Sequence, residues 1–316
     1  MKILIIGAGN VGLMHGWVLR EGGVDVTHVV RKGTLARHSG EIKMDVMDLR
    51  GGAPECYITV YNPRIVDEVA AGNHYDLVIV ATNHLQSVNA ARQYKDALPK
   101  SDFLMFCANW KGTAEIDAML SRSRYLWGYS VFSGARGDDG VLYANIQKTY
   151  RIGGLPGNPP GLLEKVIHIF SRGGMVSEIK ENIIEWLWVH HANNSGILGT
   201  FMANGGIPSA RAGMDVWVQA VRAVKDAHKV LARRGVDCAK YPDNKVFLMD
   251  DIEQAAALFR KGILGMPHYE RTRMHSHADT NPEEMKRFYL DVVETGEQLG
   301  VDMPCLSSLK SKILAL

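Results

Sequence analysis

The sequence has only four cysteines, Cys56, Cys107, Cys238 and Cys305, and no CxxC pair among them. Thiols spaced like this are those of a reduced, cytoplasmic protein, and they exclude a disulfide framework. Long apolar runs are missing as well. None reaches the roughly 18 residues needed to span a bilayer, and the apolar start ILII follows a single lysine and runs into glycine, so it reads as a buried strand and not as a signal peptide. Charge of one sign is also lacking. The formal net charge is +2, with Lys and Arg interleaved among Asp and Glu, so no field draws nucleic acid or an anionic membrane. There are no internal repeats and no low-complexity segments. What remains is globular: 46% hydrophobic and 22% charged residues support a large core in one or two domains, with small molecules as the expected partners and a homodimer left open.

The run KILII at residues 2 to 6, a helical stretch from Asn10 to Arg20 and the run VDVTHVV from Val24 open a βαβ unit. DLVIVAT from Asp76, a helix from Gln86 to Leu98 and FLMFCAN from Phe103 continue the alternation that builds a parallel sheet with helices on both faces. IKMDVMDL and CYITVYN suggest further strands. From Tyr125 short strand-like runs (YLWGYSVF, VLYANIQ, TYRIGG) lead to the loop LPGNPPG, a helix from Leu162 to Ser171 and the run MVSEI. After Glu181 the periodicity is helical almost to the end. The expected fold is α/β: a Rossmann-type doubly wound sheet over residues 1–180, then an all-helical domain over 181–316.

GAGNVG sets Gly7, Gly9 and Gly12 in the GxGxxG spacing, after a strand and at the opening of a helix. The glycines provide a tight turn, close approach of backbone to pyrophosphate, and contact between helix and strand; Ala8, Asn10 and Val11 complete the turn. About 20 residues on, an acidic residue would bind the ribose 2′-hydroxyl of NAD. This chain has Arg31 and Lys32 there. A guanidinium binds a 2′-phosphate through charge-assisted hydrogen bonds, which favours NADP(H) as cofactor; the other reading is a solvated pair of loop charges.

KILIIGAGNVG, the strand-ending Arg31, Asn109 after a later strand, and GEQLGVDMP from Gly296 together resemble the ketopantoate reductases. The resemblance implies NADPH-dependent reduction of a 2-oxo acid in a cleft between a Rossmann domain and a helical domain. It implies roles for Asn109 and Glu284 at the nicotinamide and ribose, for Ala135 of SGAR at the cofactor, and for Thr272 at the substrate. Asn83 stands where the family has a lysine near the cofactor. The first helix of the family's second domain carries a tryptophan, then a lysine that donates the proton, then asparagines four and eight residues after the lysine. With Trp186 taken as that tryptophan, Trp188, Ala192 and Gly196 occupy those three positions, and the usual donor is absent.

Carbonyl reduction still requires a proton for the oxygen. In WLWVHHANN, residues 186–194, His191 lies about 60° around the helix from Trp188 and His190 about 160°. His191 is therefore the expected acid, with Ser195 beside it on the substrate face. Burial as a core histidine, or a register that brings His190 forward, are the competing readings. Asn193 and Asn194 are either substrate contacts or solvated helix surface. Arg271 and Arg273, flanking Thr272, can hold a carboxylate bidentately or can be surface charges. Cys107, on a buried strand, reads as core. HSHAD from His275 has HxHxD spacing, but Thr280 stands where a further zinc ligand would be, so no metal is expected, and His275 and His277 are left to the substrate side or a loop. The rival to an enzyme is a non-catalytic NADP(H)-binding regulator.

Overall fold

β1 (Lys2–Ile6) is one exposed lysine followed by four buried apolar residues, as a strand covered on both faces must be. The computed structural model describes residues 1–38, 40–70, 72–206, 213–275 and 282–316. The chain divides into two compact units, Met1–Ile184 and Glu185–Leu316. After β1, the first unit continues through α1 (Asn10–Glu21), β2 (Asp25–Val29), β3 (Ile42–Asp48), β4 (Glu55–Tyr61), β5 (Arg64–Val66), β6 (Leu77–Val80), α2 (His84–Tyr94), β7 (Asp102–Phe106) and the short α3 (Ala114–Asp117). It is completed by β8 (Tyr125–Tyr129), β9 (Ser133–Arg136), β10 (Leu142–Ile146), β11 (Thr149–Gly153), α4 (Pro160–Arg172) and β12 (Val176–Ile179).

Eight of these strands form one sheet in the order β12-β11-β8-β7-β6-β1-β2-β5. The chain leaves β1 towards β2 on one side and later returns to β6 on the other, which makes the β1/β6 edge the switch point where α/β sheets bind ligands. The sheet is parallel except where β11 runs antiparallel to β8. The runs IKMDVMDL and CYITVYN do form strands, β3 and β4. They do not join the main sheet: with β10 and β9 they make a second one, in the order β4-β3-β10-β9. Inward residues of this small sheet (Met44, Val46, Leu142, Ala144) share one core with β1, α1 and α4, so the second sheet seals a side of the Rossmann layer.

The second unit is helical, with no strand among the described residues: α5 (Ile183–Ala203), α6 (Met214–Arg233), α7 (Ile252–Leu264), α8 (Tyr269–Met274), α9 (Pro282–Gln298) and α10 (Pro304–Leu314). α6 is amphipathic and buries Trp217, Val221 and Val224 against Phe201 of α5 and Ala255 and Ala256 of α7. Gly196 of α5 allows the closest approach: a Cβ there would stand 2.5 Å from the backbone nitrogen of Val224. No helix among the described residues is long and apolar enough to cross a membrane.

Candidate functional site

In a parallel sheet the strand C-termini share one edge, and β1, β2, β6 and β7 each deliver a candidate residue there. Gly7 turns with φ +105°, a conformation open to glycine and strained for other residues, and its missing side chain would lie 3.6 Å from Ala81 and Thr82 at the end of β6. Ala8 and Gly9 lead into α1, and around Gly9 the space that a Cβ would fill is open. α1 starts at Asn10 with no side-chain cap and no acidic residue in its first turn. The first-turn N–H groups of Asn10, Val11 and Gly12 therefore point at the turn without an anionic side chain to compete for them, as an anion-binding helix N-terminus requires. Gly12 itself must lack a side chain: a Cβ would come within 2.9 Å of the Gly7 carbonyl oxygen.

A buried histidine holds this turn from behind. His28, on β2, places Nδ1 3.1 Å from the Gly7 carbonyl and Nε2 3.0 Å from the Tyr61 hydroxyl. Burial pulls its pKa down to about 4, with the hydrogen bond to Gly7 opposing the shift, so the ring is neutral at pH 7. Nδ1–H then donates to Gly7, and Nε2 accepts from Tyr61. Gly16 of α1 makes room for the pair, since a Cβ there would lie 2.3 Å from His28 Nε2.

At the end of β2, Arg31 is exposed and its carbonyl accepts from Thr34 Oγ1 at 2.7 Å, which closes the loop. Lys32, expected beside Arg31 as a phosphate ligand, pairs at the surface with Glu68. Burial first, and then the charges of Arg136, Arg31 and Arg37, lower the pKa of His38, so each of these guanidinium groups is within electrostatic reach of that ring although they come from β2's loop and from β9. Arg136 follows Ala135, which is buried and paired with Tyr143 across the small sheet.

Two asparagines are used by the backbone. Asn83 caps α2, its Oδ1 accepting from Gln86 N–H at 3.1 Å. Asn109, 5% exposed, donates from Nδ2 to the Gly112 carbonyl (2.9 Å) and accepts at Oδ1 from Gly112 N–H (2.7 Å). These two bonds hold the turn after β7 and leave the carboxamide a second N–H and a second lone pair. Cys107 is core, as expected, and its carbonyl accepts from Trp127 Nε1 at 2.9 Å.

In the second unit, α5 turns a face inward that the sequence reading had assigned to substrate. His191 is fully buried, stacked on Phe288 of α9 (centroids 4.2 Å apart, planes 24°) with Nε2 3.4 Å from the Asp291 carboxylate. Ser195, also fully buried, lies 3.5 Å from the Tyr289 carbonyl, and Ala192 and Gly196 pack inward beside it. His191 and Ser195 are thus helix-packing residues, which corrects the expectation that they meet substrate. Trp188 lies under Arg234, whose guanidinium is 3.8 Å from the ring and has its pKa pulled down to about 10 by burial. The half-buried face carries His190, Asn193 and Asn194. His190 stacks on Trp186 (5.1 Å, 13°), and its Nε2 accepts from Asn194 Nδ2 at 2.9 Å. Asn193 instead accepts from His228 Nε2 (2.8 Å) and donates to Asn244 (2.8 Å).

Thr272, Arg271 and Arg273 are half-buried on α8, and Arg273 pairs with Glu270 at 2.9 Å. Glu284 sits half-buried in the first turn of α9. His277 and Asp279 of the HSHAD stretch, and Thr280 after it, lie outside the described residues. Among the described residues no cluster of three or more His, Cys, Asp or Glu could hold a metal.

Residues 3–157 match the family model described as ketopantoate reductase PanE/ApbA. Over those residues the chain is similar to the ketopantoate reductases. A 2-dehydropantoate 2-reductase of Pyrococcus horikoshii is 27% identical to it over 240 residues, 75% of each chain. The fold is shared with D-mandelate dehydrogenase, solved with NADH and anilino(oxo)acetate, at a TM-score of 0.71 and 15% identity over 100% of this chain and 98% of that one. It is shared too with a PanE/ApbA family ketopantoate reductase from Ralstonia eutropha JMP134, at 0.68 and 18% over 100% and 98%.

Sequence reasoning did not single out His28, Arg37, His38 and Arg136, which the structure adds as candidates. A histidine inside an otherwise apolar strand, VDVTHVV, is a signal for the first, because a buried imidazole needs partners. Arg136 had no such signal: its approach to His38 depends on the fold of the second sheet.

Proposed function

We propose that the protein is an NADPH-dependent oxidoreductase that reduces a small 2-oxo acid or related carbonyl, in the manner of the 2-dehydropantoate 2-reductases it resembles. The observation that carries this reading is an uncapped helix N-terminus with an open glycine turn, supported by Arg31, Arg37 and Arg136 within electrostatic reach of His38. The turn suits a pyrophosphate, and a guanidinium cluster beside the adenosine end suits a 2′-phosphate dianion, which an acidic residue there would repel. When bound, the nicotinamide supplies a hydride. The chain's own residues orient it: backbone from Gly7 to Gly12 cradles the phosphates, His28 keeps Gly7 in place, and Arg31 selects the 2′-phosphate. Arg271 and Thr272 are the groups proposed to bind the substrate carboxylate, and Glu284 the cofactor ribose.

Fluorescence titration with NADPH and NADH tests the reading. NADPH binds tighter by about tenfold or more, a difference of about 1.4 kcal/mol, and Arg31→Ala narrows the gap by weakening NADPH alone. Equal affinities in the unaltered protein would sink the NADP(H) assignment. Turnover is then measured with NADPH against pyruvate, 2-oxobutyrate, phenylglyoxylate and 2-dehydropantoate.

A further inference from the structure

The second unit contains a cavity of about 440 Å³, lined by residues of that unit alone, none of which the reductase reading uses. Lys225, His228 and Lys229 stand on one strip of α6, three and four residues apart, and form one side of it. Val236 and Asp237, which follow that helix, and Phe247 close the other side. Apolar walls with a few convergent polar groups are what a small-molecule pocket offers.

A chain of amides sets the chemistry of this cavity. The Cys238 carbonyl can only accept, so Asn244 turns Nδ2 towards it at 3.0 Å. Asn244 Oδ1 then accepts from Asn193 Nδ2 at 2.8 Å, which leaves Asn193 Oδ1 to face His228 Nε2 at 2.8 Å. Nε2 must therefore carry the proton. Burial, and then the charge of Lys225, pull the pKa of His228 down to about 4, so the ring is neutral at pH 7 and Nδ1 keeps a bare lone pair. His228 is 8% exposed, and Nδ1 has no hydrogen-bond partner among the described residues. A buried acceptor in that state favours a ligand that brings it a donor.

Close to it stands an ammonium without a carboxylate. Lys225, half-buried, donates to the Met249 carbonyl at 2.6 Å and makes no ion pair among the described residues. Lys229 pairs with Asp226 at 2.7 Å, and Asp237 accepts from the Ala239 N–H at 3.0 Å. An ammonium has three protons, so Lys225 has two left for an anion. We propose that this cavity is a second binding site, for a small organic acid with an apolar body and a hydroxyl group. The carboxylate lies on Lys225, the body packs against Phe247 and Val236, and the hydroxyl donates to His228 Nδ1.

The test titrates 3-hydroxybenzoate and benzoate into the protein by calorimetry. 3-Hydroxybenzoate binds about tenfold tighter, because it alone brings a donor to Nδ1. Lys225→Met weakens both acids by about tenfold, whereas His228→Phe binds the two acids alike. Where His228→Phe fails to fold, ring-labelled histidine in the unaltered protein gives the same answer. The Nδ1 signal of a ring protonated at Nε2 moves upfield with 3-hydroxybenzoate and stays in place with benzoate, and in Lys225→Met the same movement needs about tenfold more acid. Equal affinities for the two acids in the unaltered protein, or dissociation constants for both above about 1 mM, overturn the site. So does a preference for 3-hydroxybenzoate that survives both substitutions, which would place the acid elsewhere on the protein.

Discussion

His28 Nδ1 and the Gly7 carbonyl oxygen are 3.1 Å apart, a hydrogen bond that ties the second strand of the sheet to the turn between the first strand and its helix. It braces the Gly7 carbonyl on the side of the turn that faces the core. Since His28 is fully buried, replacing it leaves that carbonyl and the Tyr61 hydroxyl without their partner, at about 1–3 kcal/mol each. His28→Leu is therefore expected to weaken NADPH binding and lower the melting temperature together. Tyr61→Phe, which keeps the bond to Gly7, should cost stability but leave the dissociation constant within about twofold. Unchanged NADPH affinity in a folded His28→Leu would show that the turn needs no support from β2.

The alternation of strand and helix, the glycine turn and the helical second half were legible because each is a local pattern: periodicity in β1 and α1, and spacing in Gly7, Gly9 and Gly12. The second sheet was not, because β3 and β4 look the same whether they join the main sheet or pair with β10. The surroundings of Lys32 and Arg136 were hidden for a similar reason. Glu68 and the β9 strand are far from residue 31 in sequence, and only folding decides which cation is neutralised and which is brought near. In WLWVHHANN the two tryptophans offered two frames. Taking Trp186 as the anchor placed Trp188, Ala192 and Gly196 on the working face, yet Ala192 and Gly196 pack inward. The other register, with His190 brought forward, leaves the half-buried face to His190, Asn193 and Asn194. Periodicity could not choose between the frames, because α5 is apolar nearly all round and shows little contrast between its sides.

The cation cluster should respond to salt. If Arg31, Arg37 and Arg136 hold a 2′-phosphate, raising the ionic strength from about 0.05 to about 0.5 M shortens the Debye length severalfold and weakens NADPH far more than NADH, which lacks that charge. Arg136→Ala should bring the two salt dependences closer together. Parallel salt dependences in the unaltered protein, measured by the same fluorescence titration, would place the phosphate elsewhere.

Acid should unfold the first unit through two buried histidines. Burial lowers the pKa of His15 to about 3 and that of His28 to about 4, while in an unfolded chain each titrates near 6.5. Between those limits the unfolded state binds protons that the native state refuses, so stability is full above about pH 6.5 and falls as the pH falls towards 4. At about 1.4 kcal/mol per unit for each group, the loss is close to 3 kcal/mol per pH unit. Urea midpoints measured at pH 7.5, 6.5, 5.5 and 4.5 should be level between the first two and drop steeply afterwards. A midpoint that holds to pH 4.5 would mean that these rings are charged inside the fold.

His191 is expected to matter to stability and not to turnover. His191 is enclosed between α5 and α9, stacked on Phe288, with its Nε2 3.4 Å from an Asp291 carboxylate that also accepts from Arg287 Nε at 2.6 Å. Removing the imidazole leaves a cavity and takes away one partner of a carboxylate that is 7% exposed, so His191→Ala should lower stability by about 3 kcal/mol. No solvent or substrate reaches the ring, so kcat per folded molecule should stay within about twofold of the unaltered enzyme. Thermal denaturation and turnover, measured on the same preparation of His191→Ala, separate the two effects. A stable His191→Ala with abolished turnover would return the acid role to His191 and show that α5 exposes a different face in the reacting enzyme.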